Sequence, residues 1–303
     1  ARPTDADKEI AFDHVRAIVP SVMGSKMRIA VVAPSNMLSP DVVPLVRGFA
    51  AARYGDDAPD IVFHPQCFKS WGHFAGTDQM REDALVEVAN DPRFEVVWCA
   101  RGGYGANRIA ESAIARMTAA AKTKYFIGFS DAGFLLAGLL RAGIGHPVHG
   151  PMPGNILGSR GEESVARTLD WLRATRQGGD YLFGTFPPDT DPRRVAAFNL
   201  TVFSQLLGTA LEPDLTGRIL MLEEVGEAMY RIDRSLFHVT SSTNIRRCAG
   251  LMLGRCSDIK PNTPDFAQDE ETVARHWCKV SGIRWLGRAD IGHDPDNKVV
   301  PFG

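Results

Sequence analysis

One stretch constrains this chain more than any other: residues 124–155, KYFIGFSDAGFLLAGLLRAGIGHPVHGPMPGN. Residues 125–129 are aromatic or β-branched apart from Gly128, the texture of a buried strand. Residues 132–140 are apolar on every side, so a helix there must be covered all round. Only a sharp turn fits between them. It puts Ser130 at the carboxyl edge of a sheet and the next N–H groups at a helix N-terminus, where developing negative charge is favoured. A nucleophilic serine needs that position. The pattern is G-x-S-x-A rather than G-x-S-x-G, and serine is also a preferred helix cap. On this stretch alone both roles stay open, and the cap is the commoner one.

Upstream, strand and helix signals alternate. Residues 28–32 read as a first strand ending in Ala33-Pro34-Ser35, and Ser39-Pro40 as the start of a helix reaching Tyr54. Residues 60–64 read as a short strand. Residues 77–90 read as a helix, with Met80, Ala84, Leu85 and Val88 near the 3.6-residue period. The loop 67–76 carries Trp71, His73 and Phe74, which read as cover for a core edge. A strand over 94–100 runs directly into Arg101-Gly102-Gly103-Tyr104-Gly105, before a helix over 106–121. Three glycines at a strand-to-helix turn let backbone approach a ligand and take positive φ. The lysine of a phosphate loop and the spacing of a dinucleotide fingerprint are both missing. This alternation predicts a parallel sheet covered on both faces, with ligands at the carboxyl ends of its strands. The glycine turn and Ser130 both fall at those ends.

After Asn155 the texture changes. Residues 162–173 read as a helix, and 177–194 as a polar linker containing Pro187-Pro188. Residues 195–207 read as a helix, 219–222 as a strand leading into Glu223-Glu224, 230–240 as a helix, 248–253 as a strand and 269–281 as a helix. The expected division is an extension over 1–26 with a short helix at 10–19, an N-terminal α/β domain over 27–176, a linker over 177–194 and a C-terminal domain over 195–303.

Composition excludes several function classes. A net charge of -2 gives no electrostatic case for nucleic acid or an anionic membrane. No apolar run reaches the ~18 residues that would span a bilayer. The polar first residues predict no signal peptide within the chain. Five cysteines without a CxxC pair or a histidine at metal spacing predict neither a disulfide framework nor a zinc site, and favour a reducing compartment.

A serine on such a turn needs a base, and the base needs an orienting carboxylate. Glu223 and His293, the latter in Gly292-His293-Asp294, follow in the allowed order Ser…Glu…His, while His149 competes as base. Six runs then act together: AGTDQMREDAL with NDPRFEVVWCARGGYGANRI, FIGFSD, HGPM, GRILMLEEVGEAMYRIDRSL, AGLMLGR and GHDPDNKVVPFG. Jointly they resemble the LD-carboxypeptidases, a family that includes the microcin C immunity proteins, over nearly the whole chain after Arg28. The resemblance implies a flavodoxin- or amidotransferase-like parallel-sheet domain joined to a swivelling-type β/α domain, usually as a homodimer, and the reducing compartment that the cysteines favour is expected to be the cytoplasm. It assigns the nucleophile to Ser130, the orienting carboxylate to Glu223 and the base to His293, with Glu224 one register away. The backbone N–H groups of Asp131 and Gly103 would form the oxyanion hole. Arg101, Gly102, Tyr104 and His149 are the substrate-binding candidates.

The implied activity is hydrolysis of an L,D-amide in a small peptide, releasing terminal D-alanine from murein tetrapeptide, with no metal or cofactor. Two departures touch substrate detail. Ala197-Phe198-Asn199-Leu200 replaces the family's Gly-Gly-Asn-Leu, and Ala132-Gly133-Phe134 follows Ser-Asp in place of Ile/Thr-Thr-Ala. The immunity branch, which hydrolyses aminoacyl-nucleotide amides, carries a longer aromatic-bearing insert between serine and glutamate. Here that stretch offers mainly Trp171 and Phe183, which favours the peptide substrate. A non-catalytic binding protein on the same fold, with the glycine turn holding an anion, is the rival from another class.

Overall fold

The computed structural model describes residues 26–179 and 186–303. The expected helix at 10–19 and Phe183 lie outside the described residues. Strands β1 (Arg28–Val32), β2 (Asp60–Phe63), β3 (Val96–Cys99), β4 (Tyr125–Gly128) and β5 (His146–His149) form a parallel sheet in the order β2-β1-β3-β4-β5. This is a doubly wound order with its switch point between β1 and β3. Every residue of β3 is buried, because helices cover both faces of a parallel sheet. On one face lie α1 (Val42–Tyr54) and α5 (Gly161–Arg176), over a core that includes Val46, Trp98 and Leu169. On the other lie α2 (Asp78–Asn90), α3 (Ala110–Ala115) and α4 (Gly133–Ala142).

The second sheet is also parallel, β6 (Val195–Asn199), β7 (Ile219–Val225), β8 (Gly250–Ser257) and β9 (Trp285–Arg288) in that order. Its helices are α6 (Leu200–Leu206), α7 (Met229–Ser241) and α8 (Glu270–Ser281). One apolar cluster runs from Leu135 and Ala137 on α4 to Phe203 on α6 and Leu220 on β7, so the two halves share a core.

Four expectations change. Residues 195–207 are not one helix: 195–199 form β6, paired in register with β7, and Asn199 caps the helix that follows by accepting from Val202 N at 3.0 Å. A short apolar run has no period that separates strand from helix. Residues 106–121 break into short turns around α3, because the Asn90 side chain takes Thr118 N–H at 2.7 Å and Arg116 C=O at 3.1 Å, groups a longer helix would use itself. Helix α1 starts at Val42 rather than at Pro40, since 39–41 form a turn. Finally, β10 (Val300–Pro301) leaves the second sheet's half of the chain and pairs antiparallel with β5, Val300 opposite His149. The first sheet is thus completed by residues from the end of the chain, and Phe302 packs on Phe198 at 5.1 Å between ring centroids.

Candidate active site

Ser130 stands two residues past the end of β4, after Phe129, and has φ of +59°. For a residue with a Cβ this left-handed conformation costs on the order of 1–2 kcal/mol. It produces the sharp elbow that turns a side chain out of a strand end. The serine does not cap: neither the 130–132 turn nor α4 has a side-chain cap bond. The G-x-S-x-A pattern has a steric reason. A Cβ on Gly128 would lie 2.8 Å from the Ala132 Cβ and 3.1 Å from the Cys99 Cβ, so the first position must be glycine once the last is alanine. Cys99 beneath it is no rival nucleophile, since burial pushes its thiol up to about 12.

The glycine turn lies against the serine. A Cβ on Gly102 would be 3.0 Å from Ser130 Oγ. Gly103 has φ of +122°, and Asn36 fills the space a side chain there would need. Asn36 Oδ1 accepts from Tyr104 N at 3.2 Å. Among the described residues no turn or loop hydrogen bond takes up the N–H groups of Gly102, Gly103 or Asp131. The turns and loops around the serine leave these N–H groups unused.

The Asp131 carboxylate is buried and accepts from Ala106 N at 2.8 Å and from the Ser35 hydroxyl. Burial raises its pKa against the pull of those bonds. Arg81, fully buried, donates to Gly105 O at 2.8 Å and to Pro34 O. The loops after β1, β3 and β4 are thereby tied to one another by buried polar contacts.

The second sheet supplies the charges. Leu222 pairs with Leu253 but Glu224 with Cys256, so Glu223 faces two residues of β8 across a bulge, a device that re-aims side chains. Glu223 is fully buried, with Oε2 2.6 Å from His293 Nδ1. Glu224 points to the other side of the strand. It accepts from Asn199 Nδ2 at 2.8 Å, Thr201 N at 2.9 Å, Thr201 Oγ1 at 2.6 Å and Val225 N at 2.9 Å. Glu223 is the imidazole's partner, and Glu224 holds the start of α6.

Burial alone would lower the pKa of His293, but the Glu223 charge and hydrogen bond outweigh it and the net shift is upward. Its loop is fixed by Arg255, which bonds Asp294, and by Asn297 Oδ1, which accepts from Gly292 N at 3.1 Å. The His293 ring lies 4.9 Å from that of Phe129, the residue before the serine. Among the described residues no hydrogen bond joins Ser130 to His293. Such contacts commonly tighten only when substrate is bound.

His149 contacts the same Phe129 ring at 5.6 Å but is only 1% exposed, with Nε2 3.0 Å from Asn297 Oδ1. Burial pushes its pKa down to about 4. It lies buried behind Phe129, with its ring held by Asn297. Arg101 is exposed and forms no ion pair among the described residues, and Tyr104 is 46% exposed. Among the described residues no three His, Cys, Asp or Glu converge as a metal-ligand set, and no helix is long and apolar enough to cross a membrane. Sequence reasoning gave no role to Ser35, Asn36, Arg81 or Asn297; Arg81 and Asn297 stand inside the runs that carry the resemblance, as Asp131 does, whereas Ser35 and Asn36 have no such signal.

Comparison with known proteins agrees with this architecture. The model of the LD-carboxypeptidase N-terminal domain matches residues 29–150, and that of the LD-carboxypeptidase C-terminal domain matches residues 194–303. A Synechocystis sp. relative bearing a carboxypeptidase name is 31% identical, covering 91% of this chain and 89% of its own. The murein tetrapeptide carboxypeptidase of Pseudomonas aeruginosa is 25% identical over 91% of each chain. Among solved structures, muramoyltetrapeptide carboxypeptidase from Oxalobacter formigenes superposes with a TM-score of 0.74 at 24% identity, covering 90% of this chain and 93% of that one. The microcin C7 self immunity protein in complex with aspartyl sulfamoyl adenosine gives 0.72 at 16% identity, covering 93% and 92%.

Proposed function

The chain belongs to the LD-carboxypeptidase family, a family of serine peptidases, and on that premise we propose that it hydrolyses an L,D-amide bond and releases the terminal D-alanine of murein tetrapeptide. Ser130 Oγ attacks the carbonyl of the L-centre. His293 takes the hydroxyl proton at Nε2 and later gives it to the departing amine. Glu223 holds Nδ1–H, fixing the tautomer and stabilising the imidazolium. The N–H groups of Asp131 and Gly103 receive the oxyanion, each worth about 2.7–4 kcal/mol in the transition state. Water then releases the acyl-enzyme. The exposed Arg101 guanidinium beside Gly102 is the group we assign to the substrate's free carboxylate.

The observation that carries this reading is the 2.6 Å bond between His293 Nδ1 and the buried Glu223, with the imidazole against Phe129 beside the strained serine. The rival aminoacyl-nucleotide reading loses one of its two aromatics: Trp171 is buried, packed edge-on against Tyr125 at 5.3 Å. The homodimer and cell-wall-recycling role implied by the resemblance, and the cytoplasmic location expected from the cysteines, belong to the same proposal, and sedimentation velocity tests the dimer. Purified protein is incubated with murein tetrapeptide and, separately, with aspartyl sulfamoyl adenosine, and products are followed by mass spectrometry. Release of D-alanine by the wild type and none by Ser130→Ala supports the reading. Turnover of only the nucleotide analogue, or of neither by folded protein, sinks it.

A further inference from the structure

The loop before α2 carries an aromatic surface that the proposed chemistry leaves unused. Trp71 and Phe74 bond each other's backbone in both directions, N to O at 3.0 and 3.1 Å, closing a tight hairpin over Gly72, whose φ is +56°. Four rings meet there. Trp71 stacks on Phe74 with centroids 6.1 Å apart, His73 meets Phe74 edge-on at 5.6 Å, and Tyr104 contacts Phe74 at 6.0 Å and His73 at 6.1 Å. The sequence expectation is that these rings cover a core edge; instead Trp71 and His73 are exposed, and the half-buried Phe74 lies against the Arg81 and Arg108 guanidinium groups. Trp71 is 53% and Tyr104 46% exposed.

The surface is held rigidly. The Arg81 and Arg108 guanidinium groups sit 4.8 and 5.3 Å from the Phe74 ring centre, and Asp78 bridges the two arginines. Gly105 has no room for a side chain because Phe74 and Arg81 fill it. The platform is therefore built onto the glycine turn that touches Ser130. Tyr104 follows Gly102 by two residues, a Cα span of at most about 7.6 Å. Exposed aromatics of this kind mark a contact surface, and rings already fixed lose little entropy when a ligand stacks on them.

We propose that Trp71 and Tyr104 form a stacking subsite for a pyranose, the muramoyl sugar that the substrate carries away from the scissile amide, whose C–H face packs on aromatic rings. The proposal deepens the functional reading above and rests on it for the position of that amide. The first test compares kcat/KM for muramoyl-tetrapeptide with that for the free tetrapeptide. Trp71→Ala lowers the ratio about tenfold, and Trp71→Phe, which keeps a ring, restores most of it. An unchanged ratio in folded Trp71→Ala overturns the proposal. The second test needs no turnover: saturation-transfer NMR with millimolar N-acetylmuramic acid or adenosine monophosphate. Contact of N-acetylmuramic acid with the wild type, lost in Trp71→Ala, supports the subsite, and contact of adenosine monophosphate alone overturns it. No contact with either overturns it. Contact without hydrolysis of any substrate leaves the subsite standing and removes the hydrolase reading.

Discussion

The carboxyl edges of the two sheets are built by different means. At the first, geometry comes from backbone: a serine at positive φ, a glycine turn pressed against it, and buried side chains locking three loops. At the second, a bulge aims one of two adjacent glutamates at an imidazole. The difference separates two kinds of fragility. Steric change should break the first edge, and loss of a single charge should break the second.

The sharpest division is between the two glutamates. Glu223→Gln is expected to lower kcat by about 10³–10⁴-fold, the cost of a wrong tautomer in such triads. Glu224→Gln should instead lower stability by about 1–3 kcal/mol, the cost of disturbing a buried hydrogen-bonded carboxylate, and leave the chemistry largely intact. Steady-state kinetics and urea unfolding of both variants read this, and matching profiles would erase the distinction.

At the first edge, Gly102→Ala puts a methyl 3.0 Å from Ser130 Oγ. A fall in kcat of about 10²-fold is expected from a displaced oxyanion donor, with the fold retained by circular dichroism. Full activity would show that the turn does not form part of the hole.

The two histidines on Phe129 sharpen the comparison through pH. His293 is raised by Glu223 and must be neutral to act as base. The acid limb of kcat/KM should therefore lie above the ordinary imidazole value of about 6.5. Glu223→Gln should move that limb down in the residual activity.

His149 behaves oppositely. Folded, it stays neutral until about pH 4, whereas the unfolded chain takes up that proton near pH 6.5. Stability should fall as pH drops through this window, by about 3 kcal/mol in all. His149→Gln should flatten that slope in urea titrations at successive pH values. An unaltered slope would show that another group carries it.

Much of the molecule could be read from its residues. Strands β1 to β4, the capped helix α2 and the βα turn at Ser130 follow from local pattern, because a strand buried on both faces and a helix with Thr77 as cap are short-range facts. The joint runs of residues identified the family. Residues 195–199 and 300–301 escaped that reading, since a few apolar residues become a strand only when a neighbouring strand takes their hydrogen bonds.

Which residues meet was decided in three dimensions. The sequence by itself determined that a serine stands on a sharp strand-to-helix turn and that two glutamates end a later strand. It could not say which glutamate faces the imidazole, because adjacent residues of a strand point opposite ways and a bulge can swap their surroundings. Nor could it tell that His149 is walled in behind Phe129 while His293 stands against a carboxylate. Burial and charge partners are properties of the packed molecule, and here they give two identical side chains opposite electrostatic characters.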